Sequence, residues 1–180
     1  GTMKAYAVTS ADVAKLQAML EMQERIMKKN AEITFTAAMT RISAKMPRIV
    51  KDTVVEYAVD KNKPDGVKKE AFKFARYEDI DKMIRPLLIE EGFSLSYSTV
   101  PRTGDGGGAI MTATLSHKDG HSISASMPGG LDTSGGKNNI QGMASTVSYL
   151  RRHTTCMLLG IVTVDEDDDG QGAEIEATID

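Results

Sequence analysis

Cysteine is nearly missing from this chain, and the single Cys156 excludes an internal disulfide and fits a reducing compartment. Tryptophan is absent and aromatic residues make up only 5% of the sequence, while eleven methionines suggest an adaptable, soft core. No apolar run approaches the roughly 20 residues that a membrane-spanning helix needs. The first residues also lack a basic region followed by an apolar segment and a cleavage site. A cytoplasmic protein with no membrane partner is expected. Gly1 and Thr2 ahead of Met3 read as a cloning remnant, and residues 1–9 as disordered. Recognisable catalytic sets are missing too: no Ser/His/Asp arrangement stands out, and no paired carboxylates fall in apolar surroundings. Nothing compels catalysis.

The chain has 180 residues, 41% of them hydrophobic, enough for one domain with a real core and short for two. A single domain is expected over residues 10–164, followed by a flexible acidic tail over 165–180. The formal net charge of −3 hides an asymmetry. The tail holds Asp165, Glu166, Asp167, Asp168, Asp169, Glu174, Glu176 and Asp180 and no base. Without those eight of the 25 acids, the 22 bases leave the body at +5. A mildly basic body suits an anionic partner.

From Ser10 to about Lys51 good helix formers dominate, with Ser10 and Asp12 available as caps. One or two helices are expected. Val13, Leu16, Leu20, Ile26 and Met27 form the apolar stripe of the first, which Lys28, Lys29 and Asn30 could close. Ile33, Phe35, Met39, Ile42, Met46 and Ile49 suggest a second segment interrupted by Pro47. The bases Arg41, Lys45, Arg48 and Lys51 read as a solvated face with an option on nucleic acid. Thr53 to Val59, the turn signal DKNKPDG and Val67 to Arg76 predict a hairpin with a lysine-rich tip (Lys61, Lys63, Lys68, Lys69). Phe72 and Phe74 fall on one side of its returning arm as core; Lys73 falls on the other and, with Arg76, suits phosphate contact. Tyr77 to Glu91 reads as an amphipathic helix stopped by Gly92 and bent by Pro86. Phe93 to Val100, Ala109 to His117 and His121 to Met127 alternate polar and apolar residues between turns, which predicts a three-strand antiparallel meander.

A Gly-rich loop, MPGGLDTSGGKNN, then leads into the segment QGMASTVSYLRRHTTCMLLG. The loop fails as a P-loop, because Leu131 stands where the first glycine belongs and Asn138 where a Mg²⁺-binding Ser or Thr belongs. No nucleotide or other cofactor is expected; a mobile loop whose Lys137 and helix-start amides touch phosphate is. In the helix, Met143, Val147, Leu150, Thr154, Met157 and Ile161 recur by fours and threes and read as its core face. Gln141, Ser145, Ser148, Arg152 and Thr155 form a narrow polar stripe, with Arg151 at its edge. Small hydroxyls beside fixed positive charge suit a phosphate backbone. The order helix, hairpin, helix, meander, long helix is α+β.

At these residues the sequence resembles the ERF (essential recombination function) single-strand annealing proteins of bacteriophages. Their segment Gln-x-x-Gly-Ser-Ala-x-Thr-Tyr-x-Arg-Arg-Tyr, an apolar run ending in Gly-Ile, and an Asp-rich Asp-Gly is matched by Gln141, Ser145, Tyr149, Arg151, Arg152, Gly160, Ile161, Asp168, Asp169 and Gly170. Ala144, Thr146, Ser148 and His153 depart from it, His153 replacing a phenol. Upstream, FKFARYEDIDKMIRPLLIEEGFSLSY resembles the family's aromatic-basic strand and following helix. Together the blocks span roughly Ala71 to Gly170. The resemblance implies a sheet-plus-long-helix core and an ATP-independent protein that binds single-stranded DNA without sequence preference and anneals complements as a ring or filament, with a host single-strand-binding protein as a further partner. Arg151 and Arg152 are then assigned to the DNA groove, assisted by Lys73, Arg76 and Lys137. Tyr149 is left open between packing and stacking.

Two metal patterns compete with this reading. Asp165, Asp167, Asp169, Gly170 and Glu176 have EF-hand spacing, but Gly172 occupies an apolar position and no exiting helix follows. His117, His121, His153 and Cys156 lack the spacing of a zinc finger. No metal site is expected. A metal-dependent DNA-processing enzyme using the Asp165 to Asp169 cluster, and a structural or regulatory protein without DNA affinity, are the alternatives.

Overall fold

The computed structural model describes residues 9–58, 68–104 and 106–165. Its first element is one uninterrupted helix, α1, Ser10–Lys45. Thr9 rather than Ser10 is its cap: the Thr9 hydroxyl accepts the Asp12 amide at 3.2 Å, and the Asp12 carboxylate accepts the Thr9 amide at 3.0 Å. Lys28, Lys29 and Asn30 do not end it. None of them removes a backbone donor, so the ladder continues until Met46, the residue whose helical conformation Pro47 disfavours.

A short strand β1 (Ile49–Lys51) precedes the expected hairpin, β2 (Thr53–Ala58) with β3 (Lys68–Phe74), antiparallel and shifted in register between Val55 and Glu56. The hairpin tip, with Lys61 and Lys63, lies outside the described residues. Helix α2 (Tyr77–Glu90) carries Pro86 within it. Strands β4 (Phe93–Pro101), β5 (Ala109–His117) and β6 (Ser122–Gly129) form the antiparallel meander in the order β4-β5-β6. Helix α3 (Asn139–Leu159) ends at Gly160, which takes the left-handed conformation (φ 64°) that a helix stop of this kind requires. The chain then returns as β7 (Thr163–Asp165), parallel to β1. Asp165, assigned to the tail by sequence, is thus the last residue of a strand; the remaining acidic residues and the EF-hand spacing lie outside the described residues.

Strand β5 shows why the meander folds as it does. Ala109, Met111, Ala113, Leu115 and His117 are all buried, and the residues between them are not. The inner face carries two packed clusters. Phe35, Ala38 and Ile42 of α1 meet Ile80, Ile84 and Leu88 of α2, Phe93, Leu115 and, beyond α3, Ile161. Leu150 of α3 packs with Ala109 and Met111. The outer face is a grid of hydroxyls: Ser94, Ser96 and Ser98 stand opposite Ser116, Thr114 and Thr112, which in turn oppose Ser122, Ser124 and Ser126. Two of the predicted solvent-facing bases also have structural partners, since Arg41 and Lys45 bind Glu91 and Glu90 at 2.8 Å and tie α1 to the end of α2.

Two expectations about helix faces fail. On α3, Thr155 is fully buried and Met157 exposed, the reverse of the reading from periodicity. The Thr155 hydroxyl lies 2.7 Å from the Tyr97 hydroxyl and donates to the Arg151 carbonyl, so it is buried without an unmet hydrogen bond. On α1, the apolar stripe of Val13, Leu16, Leu20, Ile26 and Met27 finds no partner within the chain and is exposed, because the body of the protein reaches the helix only from Ala31 onward.

Candidate nucleic-acid interface

The N-terminal half of α3 is fixed by its cap and by one small residue. Asn138 and Gln141 form a reciprocal capping box, the Asn138 side chain accepting the Gln141 amide at 2.9 Å and the Gln141 side chain accepting the Asn138 amide at 3.1 Å. Gln141, the first residue of the recurring segment, is therefore a capping residue. One turn in, a Cβ on Gly142 would fall 2.5 Å from the Asp132 carbonyl oxygen, so only glycine lets the preceding loop lie against the helix.

That loop is held, contrary to the expectation of a mobile one. Thr146 Oγ1 accepts the Asp132 amide at 3.0 Å and donates to the Gly130 carbonyl at 2.8 Å. The Asp132 carboxylate receives Lys137 Nζ at 2.7 Å, Ser134 Oγ at 2.6 Å and Ser145 Oγ at 2.6 Å. These donors, Lys137 first, hold its carboxyl well below the usual range. Lys137 therefore stands at the expected place with its charge already paired.

Arg151 and Arg152 adjoin in sequence but lean on different elements. The Arg151 guanidinium lies 5.3 Å from the ring centre of Tyr77, the first residue of α2, and 5.2 Å from that of Tyr97 on β4. The two tyrosine hydroxyls are 3.1 Å apart, and Tyr77 also donates to Asp81 at 3.0 Å. Burial and these contacts push the Tyr77 hydroxyl far above its ordinary value, so it stays a neutral donor. Arg152 is half-buried, 4.5 Å above the Phe74 ring of β3 and 5.5 Å from the Tyr149 ring. Its Nη1 donates to the Ala75 carbonyl at 3.4 Å. Among the described residues, salt bridges engage Lys29, Arg41, Lys45, Arg85 and Lys137, and neither Arg151 nor Arg152.

A cleft of about 920 Å³ runs between α3, the held loop and the β3–α2 junction. Arg76, Lys137, Tyr149, Arg151 and Arg152 all line it, together with Phe74, Tyr77 and Ser145. Lys73 stands apart, in an adjoining cavity of about 420 Å³ whose wall shares Phe74, Tyr149 and Arg152 with the first. Tyr149 is exposed, its ring 4.0 Å from that of His153. What sequence reasoning missed are the seats, Tyr77, Tyr97 and Asp132. Tyr77 stands beside Arg76 in the sequence, where the amphipathic pattern marks it only as a helix start.

The two recurring blocks, distant in sequence, thus converge on one cleft. Across residues 35–178, well over half of the chain, the sequence matches the model of the ERF superfamily. The chain belongs to that superfamily. Membership carries a role in phage single-strand annealing and recombination, and ERF proteins are annealing proteins rather than catalysts of covalent chemistry. No curated protein and no solved structure matches the chain. Among the described residues, no helix is long and apolar enough to cross a membrane, and no group of three His, Cys, Asp or Glu side chains is placed to hold a metal. Of the zinc candidates, His117 is buried, with Nε2 3.0 Å from the Glu91 carbonyl and Nδ1 accepting the Asp119 amide.

Proposed function

We propose that the cleft binds single-stranded DNA without sequence preference, and that this ERF protein anneals complementary strands without ATP, as an oligomer in the host cytoplasm. The observation that carries this reading is the pair Arg151 and Arg152, seated on aromatic rings and unpaired with any carboxylate among the described residues. Phosphates supply a counter-charge in direct contact. A guanidinium already ordered by a ring loses little freedom when it meets an anion. Arg76, and Lys73 from the adjoining cavity, extend the positive surface, and the exposed Tyr149 offers a ring on which a base can stack. Lys137 contributes by holding Asp132 and the loop. Contacts of this kind grip the backbone and leave base edges available, so arrival of a complement is rewarded by pairing. A single cleft covers a short stretch of strand. An extended strand then needs subunits side by side in a ring or filament, and a host single-strand-binding protein would be the competitor or loading partner on the same DNA.

Annealing of two complementary labelled oligonucleotides, without nucleotide and with or without chelator, tests the proposal. Acceleration that survives the chelator and weakens with salt is expected. No acceleration at low salt, or strand shortening that depends on metal, would overturn it.

A further inference from the structure

Residues 10–30, about 30 Å of α1 at 1.5 Å per residue, project beyond the body. Eight large apolar side chains lie on or just beyond this segment, Val13, Leu16, Met19, Leu20, Met22, Ile26, Met27 and Ile33, each between 45% and 68% exposed. Their positions are ordered. Val13, Leu20 and Met27 recur every seven residues, with Leu16 in the intervening position of the same seam. Met19, Ile26 and Ile33 form a second seven-residue line, with Met22 between. At 3.6 residues per turn the two lines stand roughly 120° apart. Between Leu16 and Ile33 the arc they enclose carries Gln23 and Asn30 but no charge, while Glu21, Glu24, Arg25, Lys28, Lys29 and Glu32 all fall outside it. One solvated side and one predominantly apolar side with two seams result, the second seam interrupted at Lys15 and Lys29, seven residues either side of Met22.

We propose that the projecting half of α1 lies between the α1 helices of two other copies of this chain, one on each seam, so that subunits join head to tail. Single-chain proteins rarely leave so contiguous an apolar surface open, and a stable interface needs about 800 Å² from each partner. Most helical stability in proteins comes from packing an apolar face rather than from propensity, and this face is exposed along residues 10–30. The occupant is a second copy because the seven-residue lines match their own repeat, and because equal numbers of acids and bases flank them and allow opposite signs to meet between identical helices. Two different seams make the contact heterologous, and heterologous contacts build rings or filaments rather than closed pairs. The projecting half lies ahead of the residues that match the family, 35–178. The assembly supplies the row of clefts that the annealing reading requires.

The test is the mass of the full chain in solution without DNA, by light scattering or sedimentation, so that it stands or falls separately from DNA binding. The wild type should form assemblies larger than dimers. Leu20→Glu, on the first seam, and Ile26→Glu, on the second, should each be monomeric, since every contact uses one seam from each neighbour. Mixed in equal amounts, they should form a one-to-one dimer and nothing larger, because one intact seam remains on each. Both sites are exposed, so circular dichroism should retain the folded body; Leu20→Gln and Ile26→Gln repeat the experiment with milder changes. A monomeric or dimeric wild type, a single-seam variant that keeps wild-type mass or dimerises alone, or a mixture that stays monomeric would overturn the proposal. If the wild type assembles as described but binds no DNA, the annealing reading fails and this one stands.

Discussion

Arg152 sits where a lysine would serve badly. Burial lowers its pKa, yet a guanidinium remains charged where an ammonium in the same position would lose its proton more readily. Its guanidinium carbon also lies over Phe74 while Nη1 reaches the Ala75 carbonyl, a division of labour that a point charge cannot copy. Arg152→Lys should therefore weaken single-strand binding nearly as much as Arg152→Ala, whereas Arg151→Lys at the exposed position should keep more of it. Titrating binding against salt reads the charge contribution directly. If each arginine neutralises one phosphate, the slope of log K against log salt should fall by about 0.7 per arginine removed, with thermal melts confirming that the fold is kept. Unchanged affinity in the Arg151→Ala/Arg152→Ala chain would remove both from the interface. The neighbouring His153 allows a second prediction. Burial, and then the Arg152 charge, hold its pKa below the ordinary imidazole value. As pH falls below about 6.5, the unfolded chain binds this proton more readily than the folded one. Stability present at neutral pH is lost as the pH falls toward the folded pKa. His153→Tyr, the residue usual in the family segment, should abolish that component, so its melting temperature should fall less than that of the wild type between about pH 7.5 and 5.5. Parallel curves for the two chains would show that His153 contributes nothing.

Among the elements, the legible ones are those whose pattern answers to a single neighbour. The meander was readable because β4, β5 and β6 each alternate against one packed layer and are separated by glycine turns. Helix α3 was readable in extent and in most of its inward face, Met143, Val147, Leu150 and Thr154, but not at Thr155 and Met157. It meets the sheet partly through a hydroxyl contact with Tyr97 of β4, and a buried hydroxyl pair such as Thr155 with Tyr97 has no signature in apolar spacing. The parallel pairing of β1 with β7 was invisible for a different reason: three residues a side carry no period, and the partners are far apart in sequence. The same view of α2 leads to a stability prediction. Ile84 is fully buried in the principal cluster, so Ile84→Ala should cost about 2–5 kcal/mol in denaturant unfolding. Gly142→Ala acts on the loop instead. Its new Cβ drives against the Asp132 carbonyl and must displace the segment that Thr146 and Asp132 secure, at a cost of about 1–3 kcal/mol. Weaker DNA binding should accompany the loss, because Lys137 and Asp132 line the same cleft. Wild-type stability in Gly142→Ala would mean that the loop yields without resistance.

For the molecule as a whole, the long projecting helix and the cleft pose one question, how a body this small holds an extended strand. The sequence signalled the apolar line along α1 but not its exposure, since periodicity reports that a face wants a partner and is silent on whether that partner belongs to the same chain. If neighbouring copies meet through α1, their clefts act on one strand together, and each site engaged after the first binds at the high effective concentration set by its tethered neighbour. Affinity should then climb with strand length, by at least tenfold between an oligonucleotide of about 10 nucleotides, which one small domain can cover, and one several times longer. In Leu20→Glu, which keeps the cleft and loses the seam, affinity for the short strand should be unchanged and the gain with length should vanish, apart from the small statistical factor of having more positions to occupy. Fluorescence anisotropy on a series of strand lengths separates the cases. A wild type whose affinity ignores length would uncouple assembly from the cleft. A variant that keeps the full gain would place the coupling somewhere other than α1.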